Sequence, residues 1–138
     1  MKHAGWAYTD AMKQAANDLS REVIGAAIEV HRELGPGMLE VVYEETLCYE
    51  LDLRGIPYQR QLPVCIEYKG KMLDAAFKID VLVNDLIVVE LKAVKQMVDV
   101  YEAQLMTYLR LQRRWLGLLM NFNVPVLRDG IVRRVLGG

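Results

Sequence analysis

One stretch constrains the fold of this chain more than any other: residues 77–92, with the sequence FKIDVLVNDLIVVELK. It reads as two short strands around a polar turn, and it sets three charged residues in strongly apolar surroundings. Successive side chains of a strand point to opposite faces, so Glu90 and Lys92 share one face. Burying a carboxylate and an ammonium in the inner strand of a small domain is costly unless they are paired or bind an ion. The pattern therefore indicates either a functional site or an ion pair on an edge strand.

The register of this hairpin decides whether Asp80 can meet Glu90. If the two carboxylates lie opposite each other on one face, Val83 must pair with Ile87, which leaves residues 84–86 as a three-residue loop. A two-residue turn would instead place the carboxylates on opposite faces. A joint metal site therefore predicts the longer loop or a bulge. The apolar face of the first strand is expected to hold Ile79, Val81 and Val83.

Length and composition fit one ordinary globular domain, since the chain has 138 residues of which 53% are hydrophobic and 25% charged. The first ten residues contain no apolar core of signal-peptide length, and no apolar run approaches a membrane span. We expect a cytoplasmic protein that makes no membrane contact. We also expect Cys48 and Cys65 to be buried, reduced and structural.

Charge argues against strong indiscriminate binding to nucleic acid, because the net charge is −1. The charges are unevenly distributed, however: residues 1–50 carry 4 Lys and Arg against 9 Asp and Glu, whereas residues 99–138 carry 6 Arg against 3 acids. A polyanion is expected to approach this C-terminal part, although the arginines equally fit a solvated face. The candidate nucleic-acid-binding residues are Arg110, Arg113 and Arg114, and after them Arg128, Arg133 and Arg134.

Hydrophobic periodicity predicts an α/β (α+β) chain with the element order ααβββαβ and a short β ending. Residues 1–19 are expected to form an N-terminal arm or short helix, and residues 20–138 a single domain. Ser20 and Asp99 are reasonable N-caps of the first and third helices. The three strands after the second helix are expected to form an antiparallel meander. The predicted helices span 20–34, 39–54 and 100–113, and the predicted strands 58–68, 71–83, 86–93, 115–122 and 126–136.

Two helical faces carry further polar candidates. Glu40 opens the second helix and shares a face with Tyr43 and Glu44, although the helix dipole alone would also favour an acid there. On the third helix, a stripe at i, i+3 and i+7 could hydrogen-bond across a cleft or could be a half-buried amphipathic face. That stripe consists of Tyr101, Gln104 and Tyr108.

The two histidines do not suggest a metal centre. His31 is expected to be a packing or capping residue of the first helix. Neither His31 nor His3 belongs to a His/Cys cluster with zinc-like spacing, so no zinc site is expected. Cys48 lies among apolar neighbours and is a poor candidate for a reactive thiolate.

Several motifs in order carry a family resemblance. Asp80, then Glu90-Leu91-Lys92 on the adjacent strand, after a helix that bears a Glu, resembles the PD-(D/E)XK nuclease superfamily. Gln104-x-x-x-Tyr108 is similar to the QxxxY motif of its RecB-type branch. The stretches LGPGMLEVVYEETLCYEL and IVVELKAV closely resemble the small bacterial proteins of the GxxExxY family, over about residues 20–122. The residue before Asp80 is isoleucine where the motif has proline.

The resemblance implies a restriction-endonuclease-like core, in which a mixed central β-sheet is flanked by helices. It also implies a phosphodiesterase that uses Mg²⁺ or Mn²⁺. The implied substrate is nucleic acid, with DNA ahead of RNA. Lys92 would stabilise charge on the phosphate, and Gln104 and Tyr108 would position Lys92 or a phosphate oxygen. The implied metal ligands are Asp80, Glu90, the Leu91 carbonyl and Glu40.

Two other kinds of protein fit the same residues. One is a non-catalytic accessory module that binds nucleic acid or protein on a nuclease-like scaffold. The other is a homodimeric structural protein with an exposed apolar interface near Trp115. The complete set of Asp80, Glu90 and Lys92 favours the nuclease. The small size of the chain favours action as a homodimer or within a larger nuclease complex.

Overall fold

The computed structural model describes residues 7–74 and 77–137, and its five-stranded mixed sheet lies between helices. The sheet has the strand order β1-β4-β5-β6-β7, and only β5 and β6 are parallel. This confirms the predicted fold class, an α+β architecture consistent with a restriction-endonuclease-like core. The helices are α1 (Asp10–Leu34), α2 (Glu40–Leu53) and α3 (Asp99–Gln112). The strands are β1 (Tyr58–Pro63), β2 (Ile66–Tyr68), β3 (Lys71–Leu73), β4 (Lys78–Val83), β5 (Ile87–Lys92), β6 (Leu116–Asn121) and β7 (Ile131–Val135).

The first helix is longer than the sequence predicted. It begins at Asp10, where the Thr9 side chain caps it by accepting a hydrogen bond from the Met12 amide at 3.1 Å. Ser20, the predicted N-cap, lies buried inside α1 and donates to the Asn17 carbonyl. The expected arm is therefore regular helix from residue 10 onwards. Residues 1–6, which include His3, lie outside the described residues.

The predicted three-stranded antiparallel meander is confirmed in its pairing, β1 with β4 and β4 with β5, but each of its first two strands is divided. Pro63 ends β1, and the short strands β2 and β3 form a separate two-stranded sheet. The strand that neighbours β4 is therefore β1, at the edge of the main sheet. Pro63 lacks a backbone donor and suits such an edge. Residues 75–76, inside the predicted strand 71–83, lie outside the described residues.

The sheet is covered on both faces, and its two innermost strands are buried on both. On one face, Val81 and Val89 pack in the core formed with α1 and α2. On the other, Leu82 and Val88 pack with α3. Every residue of β6 is buried, which confirms the expected doubly covered strand. No helix of the described residues is both long and apolar enough to cross a lipid bilayer.

Two expectations about burial are wrong. Cys65 is exposed, whereas Cys48 is buried as predicted and burial raises the pKa of its thiol to about 12. Trp115 offers no exposed apolar interface, since it is 8% exposed. The Lys13 ammonium and the Arg133 guanidinium lie 5.5 Å and 5.6 Å from the centroid of its ring.

The loop between α1 and α2 is anchored by Tyr43, which α2 carries into the core. The Tyr43 ring is fully buried and stacks on Phe122 with a centroid separation of 4.5 Å. Its hydroxyl donates to the Gly35 carbonyl and accepts from the Met38 amide at 3.1 Å. Gly35 has a φ of 69°, in the left-handed region that glycine tolerates. The Tyr43 hydroxyl thus fixes the segment that leads into Glu40.

Replacing Tyr43 by phenylalanine should test this anchor. Tyr43→Phe keeps the ring stacking but removes both hydrogen bonds, so the free energy of unfolding should fall by about 1–2 kcal/mol. Urea unfolding followed by circular dichroism measures the change. Tyr49→Phe, at an exposed position of the same helix, is the matched control and should behave as wild type. Equal stability of Tyr43→Phe and wild type would show that the anchor contributes nothing.

Candidate active site

The hairpin of β4 and β5 has the register that places Asp80 opposite Glu90. Val83 pairs with Ile87, and residues 84–86 form the three-residue loop that a joint carboxylate site requires. Asn84 and Asp85 adopt φ values of 49° and 56°, which these short polar residues tolerate better than most. The predicted register is therefore confirmed.

Hydrogen bonds from main chain to carboxylate replace the regular ladder beyond Val81 and Val89, the last pair between the strands. The Asp80 amide donates to Glu90 Oε2 at 2.8 Å, and the Leu91 amide donates to Asp80 Oδ2 at 2.8 Å. Buried amides need a partner, and here each carboxylate satisfies an amide of the other strand. One oxygen of each carboxylate, Asp80 Oδ1 and Glu90 Oε1, is left without a main-chain donor.

The alternation of side chains along β4 is interrupted at Asp80. Val81 packs with α1 and α2, but Ile79 packs on the α3 side together with Leu82. Strict alternation would put Ile79 with Val81, so the predicted common face is wrong for Ile79. Opposite Asp80, Gln61 of β1 has a φ of 50° and breaks the pairing of the two strands. Such local irregularities re-aim side chains, and this one lies at the candidate site.

Burial and like charge raise the pKa of every carboxyl group in this region that shows a shift. Glu90 is only 5% exposed, and burial, followed by the neighbouring Asp80 carboxylate, raises its pKa to about 8. Burial also raises the pKa of Asp80, while the Leu91 amide opposes the change. Glu40 is exposed, yet partial desolvation and then Asp80 raise its pKa. The site therefore carries an excess of acidic groups that favours protonation or a bound cation.

Three residues connect α2 to this site through the edge strand, and of these only Glu44 was noted in the sequence, as a residue on the same helical face as Glu40. Glu44 is buried and accepts from two nitrogens of Arg60 at 3.1 Å and 2.9 Å. Gln61 Nε2 donates to Glu44 Oε1 at 2.6 Å and lies 3.5 Å from Asp80 Oδ1. The spacing of one helical turn placed Glu44 on the face of Glu40, but it did not predict the contacts with Arg60 and Gln61. Arg60 and Gln61 carried no signal, because their roles depend on the pairing of β1 with β4.

The polar stripe of α3 divides between two environments. The Lys92 ammonium lies 4.5 Å from the centroid of the Tyr101 ring, a cation–π contact. Tyr108 is 4% exposed, and burial, followed by Glu90 and Asp80, raises its pKa to about 12. Gln104 lines a groove between α3 and the segments that flank β1 and β4, and it makes no hydrogen bond within the described part of the chain. Tyr101, rather than Gln104 or Tyr108, is the residue in contact with Lys92.

The predicted arginines lie away from the carboxylates. In the parallel pair of β5 and β6, Ile87 pairs with Leu116 and Lys92 with Asn121. Arg114 precedes β6 and therefore lies at the Ile87 end, where it donates to the Asp85 carboxylate of the hairpin turn. Arg110 donates to the Thr107 hydroxyl at 3.1 Å, and Arg113 ends α3 with a φ of 53°. A nucleic-acid-binding role for these three arginines stays a prediction.

The expected role of Glu40 as a third carboxylate ligand beside Asp80 and Glu90 stays a prediction. Within residues 7–74 and 77–137, no group of three or more His, Cys, Asp or Glu side chains is placed to hold a metal ion. Asp80 and Glu90 each turn one oxygen toward a main-chain amide, and Glu40 is an exposed residue. His31 is buried and its Nε2 donates to the Val124 carbonyl at 2.8 Å, which confirms the expected packing role.

Comparison with known proteins agrees with this geometry. A family model of the PD-(D/E)XK nuclease superfamily matches residues 17–135. No curated protein sequence and no solved structure gives a significant match to the chain. The chain belongs to the PD-(D/E)XK nuclease superfamily, as its Asp80 and Glu90-Leu91-Lys92 motifs predicted. Membership of the narrower GxxExxY family stays a prediction.

The raised pKa of Glu90 predicts how the metal-free protein responds to pH. Between the ordinary value of 4.5 and about 8, the folded protein retains a proton that the unfolded chain has lost. This contribution to stability is complete below the unfolded value and is lost as the pH rises through the folded value. Urea unfolding in EDTA should therefore show wild-type stability falling toward pH 8, with each pKa unit equivalent to about 1.4 kcal/mol.

The matched variant for this titration is Glu90→Gln, which cannot ionise. It should lose most of the pH dependence and exceed wild type in stability at pH 8. Glu45→Gln, at an exposed position of α2, should keep the wild-type pH dependence. Parallel pH profiles of wild type and Glu90→Gln would contradict the assignment.

Proposed function

We propose that this protein is a metal-dependent nuclease that hydrolyses phosphodiester bonds of nucleic acid, DNA in particular. The observation that carries the proposal is the exchange of hydrogen bonds that holds the Asp80 and Glu90 carboxylates together where β4 and β5 part. Lys92 lies on the same strand face as Glu90, two residues on. Membership of a nuclease superfamily supports this chemistry over other uses of a buried acidic pair.

The donor set fits a hard divalent cation such as Mg²⁺ or Mn²⁺. Mg²⁺ is commonly bound through one or two carboxylates, with water and substrate phosphate completing its coordination. Asp80 and Glu90 each have one oxygen without a main-chain donor, and the Leu91 carbonyl and Glu40 are the further ligands we propose. When bound, the ion supplies Lewis acidity toward the phosphate and makes water acidic enough to act as a nucleophile.

The residues around this pair have separable roles. The Lys92 ammonium stabilises negative charge that develops on the phosphate, and the Tyr101 ring restrains it from one side. Gln61 links Asp80 to Glu44 and limits the rotation of the Asp80 carboxylate. Tyr108 closes the site from α3 and excludes water from Glu90, whose raised pKa reflects that burial.

A second candidate function is a non-catalytic accessory module that binds nucleic acid or protein. One observation favours it: no three-ligand cluster is present in the described residues. A structural module, however, has no need to bury Glu90, whose burial is unfavourable unless a proton or a cation neutralises it. We therefore rank the nuclease first.

The first test removes one charge from the site. Asp80→Asn keeps an oxygen to accept from the Leu91 amide, so the fold should persist while the site loses a negative ligand. Calorimetric titration with Mn²⁺ should show binding in wild type and at least about tenfold weaker binding in Asp80→Asn. Cleavage of labelled single- and double-stranded DNA and RNA in Mn²⁺ should fall at least about a hundredfold.

The matched control for this test is Asp85→Asn, on the turn of the same hairpin, where the side chain is 75% exposed. It should bind Mn²⁺ and cleave as wild type does. Metal binding without cleavage of any of the four substrates would favour the accessory module. No Mn²⁺ binding by wild type would exclude the nuclease proposal.

The contact between Lys92 and Tyr101 gives a test of positioning. Tyr101→Leu removes the aromatic face and should lower the cleavage rate about three- to thirtyfold, while Mn²⁺ affinity stays unchanged. Tyr101→Phe retains the ring and should restore the wild-type rate. Single-turnover cleavage assays measure both variants. If Tyr101→Phe cleaves as slowly as Tyr101→Leu, the Tyr101 hydroxyl rather than its ring face supports cleavage.

A further inference from the structure

An apolar groove of about 320 Å³ lies between α3 and the segments that flank β1 and β4. Its size is at the lower end of the range for sites that hold small organic groups. Phe77, which is 46% exposed, provides an aromatic surface on one wall. The lining includes Val64, Phe77, Val100, Gln104, Thr107 and Tyr108.

The groove lies next to the candidate active site, because its lining residue Tyr108 is close enough to Glu90 and Asp80 for these carboxylates to raise its pKa. Tyr108 lines it and also packs in the core cluster that contains Val88. Glu90 follows Val88 by two residues and therefore lies on the same face of β5. A ligand in the groove and a phosphate at Glu90 would thus both lie beside Tyr108.

Two polar groups of the groove have capacity for a ligand. Gln104 is half-buried, and its amide makes no hydrogen bond in the described ranges. Arg110 donates to the hydroxyl of Thr107, a lining residue, and forms no ion pair among those residues. The groove is therefore apolar, with the Gln104 amide in its lining and the Arg110 guanidinium next to its lining residue Thr107. These groups suit a ligand with a flat apolar part, polar edges and a neighbouring anion.

We propose that this groove holds an unpaired nucleobase of the substrate, so that the protein acts on single-stranded nucleic acid or on unpaired nucleotides. This inference rests on the proposed nuclease function. An unstacked base presents a π-face to Phe77 and hydrogen-bonding edges to Gln104, and its phosphate brings a negative charge to Arg110. Bases inside a duplex are stacked and paired, so a duplex cannot fill the groove without extruding a base.

The first test compares an intact strand with one that has lost its bases. Fluorescence anisotropy in EDTA, where metal-dependent cleavage cannot proceed, gives the affinity for a labelled single-stranded DNA and for the same strand built from abasic nucleotides. Wild type should bind the intact strand at least about tenfold more tightly than the abasic strand, because stacking of a base stabilises the complex. It should also bind the intact strand more tightly than the corresponding duplex.

Phe77→Leu removes the aromatic face while keeping an apolar side chain. It should lose most of the preference for the intact strand and bind the abasic strand as wild type does. Tyr68→Leu is the matched control, because Tyr68 is an exposed aromatic residue of β2 that does not line the groove. This control should keep the full preference.

Gln104→Leu tests recognition of the base edge. It should lower affinity for the intact strand about three- to tenfold and leave affinity for the abasic strand unchanged. Gln112→Leu makes the same chemical change two turns further along α3, outside the groove, and should have no effect. Equal affinity of wild type for intact and abasic strands would overturn the base site, even if the protein cleaves DNA.

Failure of the nuclease and failure of the base site give different results. If wild type prefers the intact strand but cleaves nothing in Mn²⁺, the groove binds bases and the protein is an accessory module. If the groove instead holds a second copy of this chain, Phe77→Leu should change the mass measured by sedimentation equilibrium. Such a change, with no preference for the intact strand, would overturn the base site.

Discussion

Asp80 and Glu90 each accept a hydrogen bond from the main chain of the opposite strand, and the candidate site depends on this exchange. Regular pairing would satisfy the amides of Asp80 and Leu91 with carbonyl groups and would leave two buried carboxylates with no donors. The interruption at Asp80 and the left-handed Gln61 open the sheet at this point. The strands can then separate without leaving unpaired amides, because the carboxylates replace the ladder.

The same exchange sets the charge of the site. Each carboxylate satisfies one amide, but burial still raises the pKa of Glu90 to about 8 and that of Asp80 above its usual value. The positive charge of Lys92 lowers the pKa of both carboxyl groups. Arg60, by contrast, forms its ion pair with Glu44. The acidic excess is therefore relieved either by a proton on Glu90 or by a divalent cation, and this links stability, pH and metal binding in one residue.

The sequence predicted the parts of this arrangement that follow from alternation along a single strand. Period-two spacing places Glu90 and Lys92 on one face of their strand. The condition that Asp80 shares this face is enough to predict the three-residue turn. Features that depend on pairing between distant segments were missed. Gln61 lies opposite Asp80 because the register of β1 and β4 is shifted by two residues from the register of β2 and β3, and the predicted meander did not include that shift. The early start of α1 was missed because the N-cap of this helix is Thr9 and not Ser20.

The length of α3 accounts for the distance between the carboxylates and the arginines. The helix has 14 residues and is about 21 Å long, with Tyr101 beside Lys92 near its start and Arg113 at its end. Gln104 and Thr107, which line the groove, lie between these points on the helix, and Arg110 contacts Thr107. An extended strand that followed the helix would meet the carboxylates first, the groove next and the arginines last. If the proposed function holds, the arginines and the active site would contact the same strand, which would reconcile a nearly neutral chain with a polyanionic substrate.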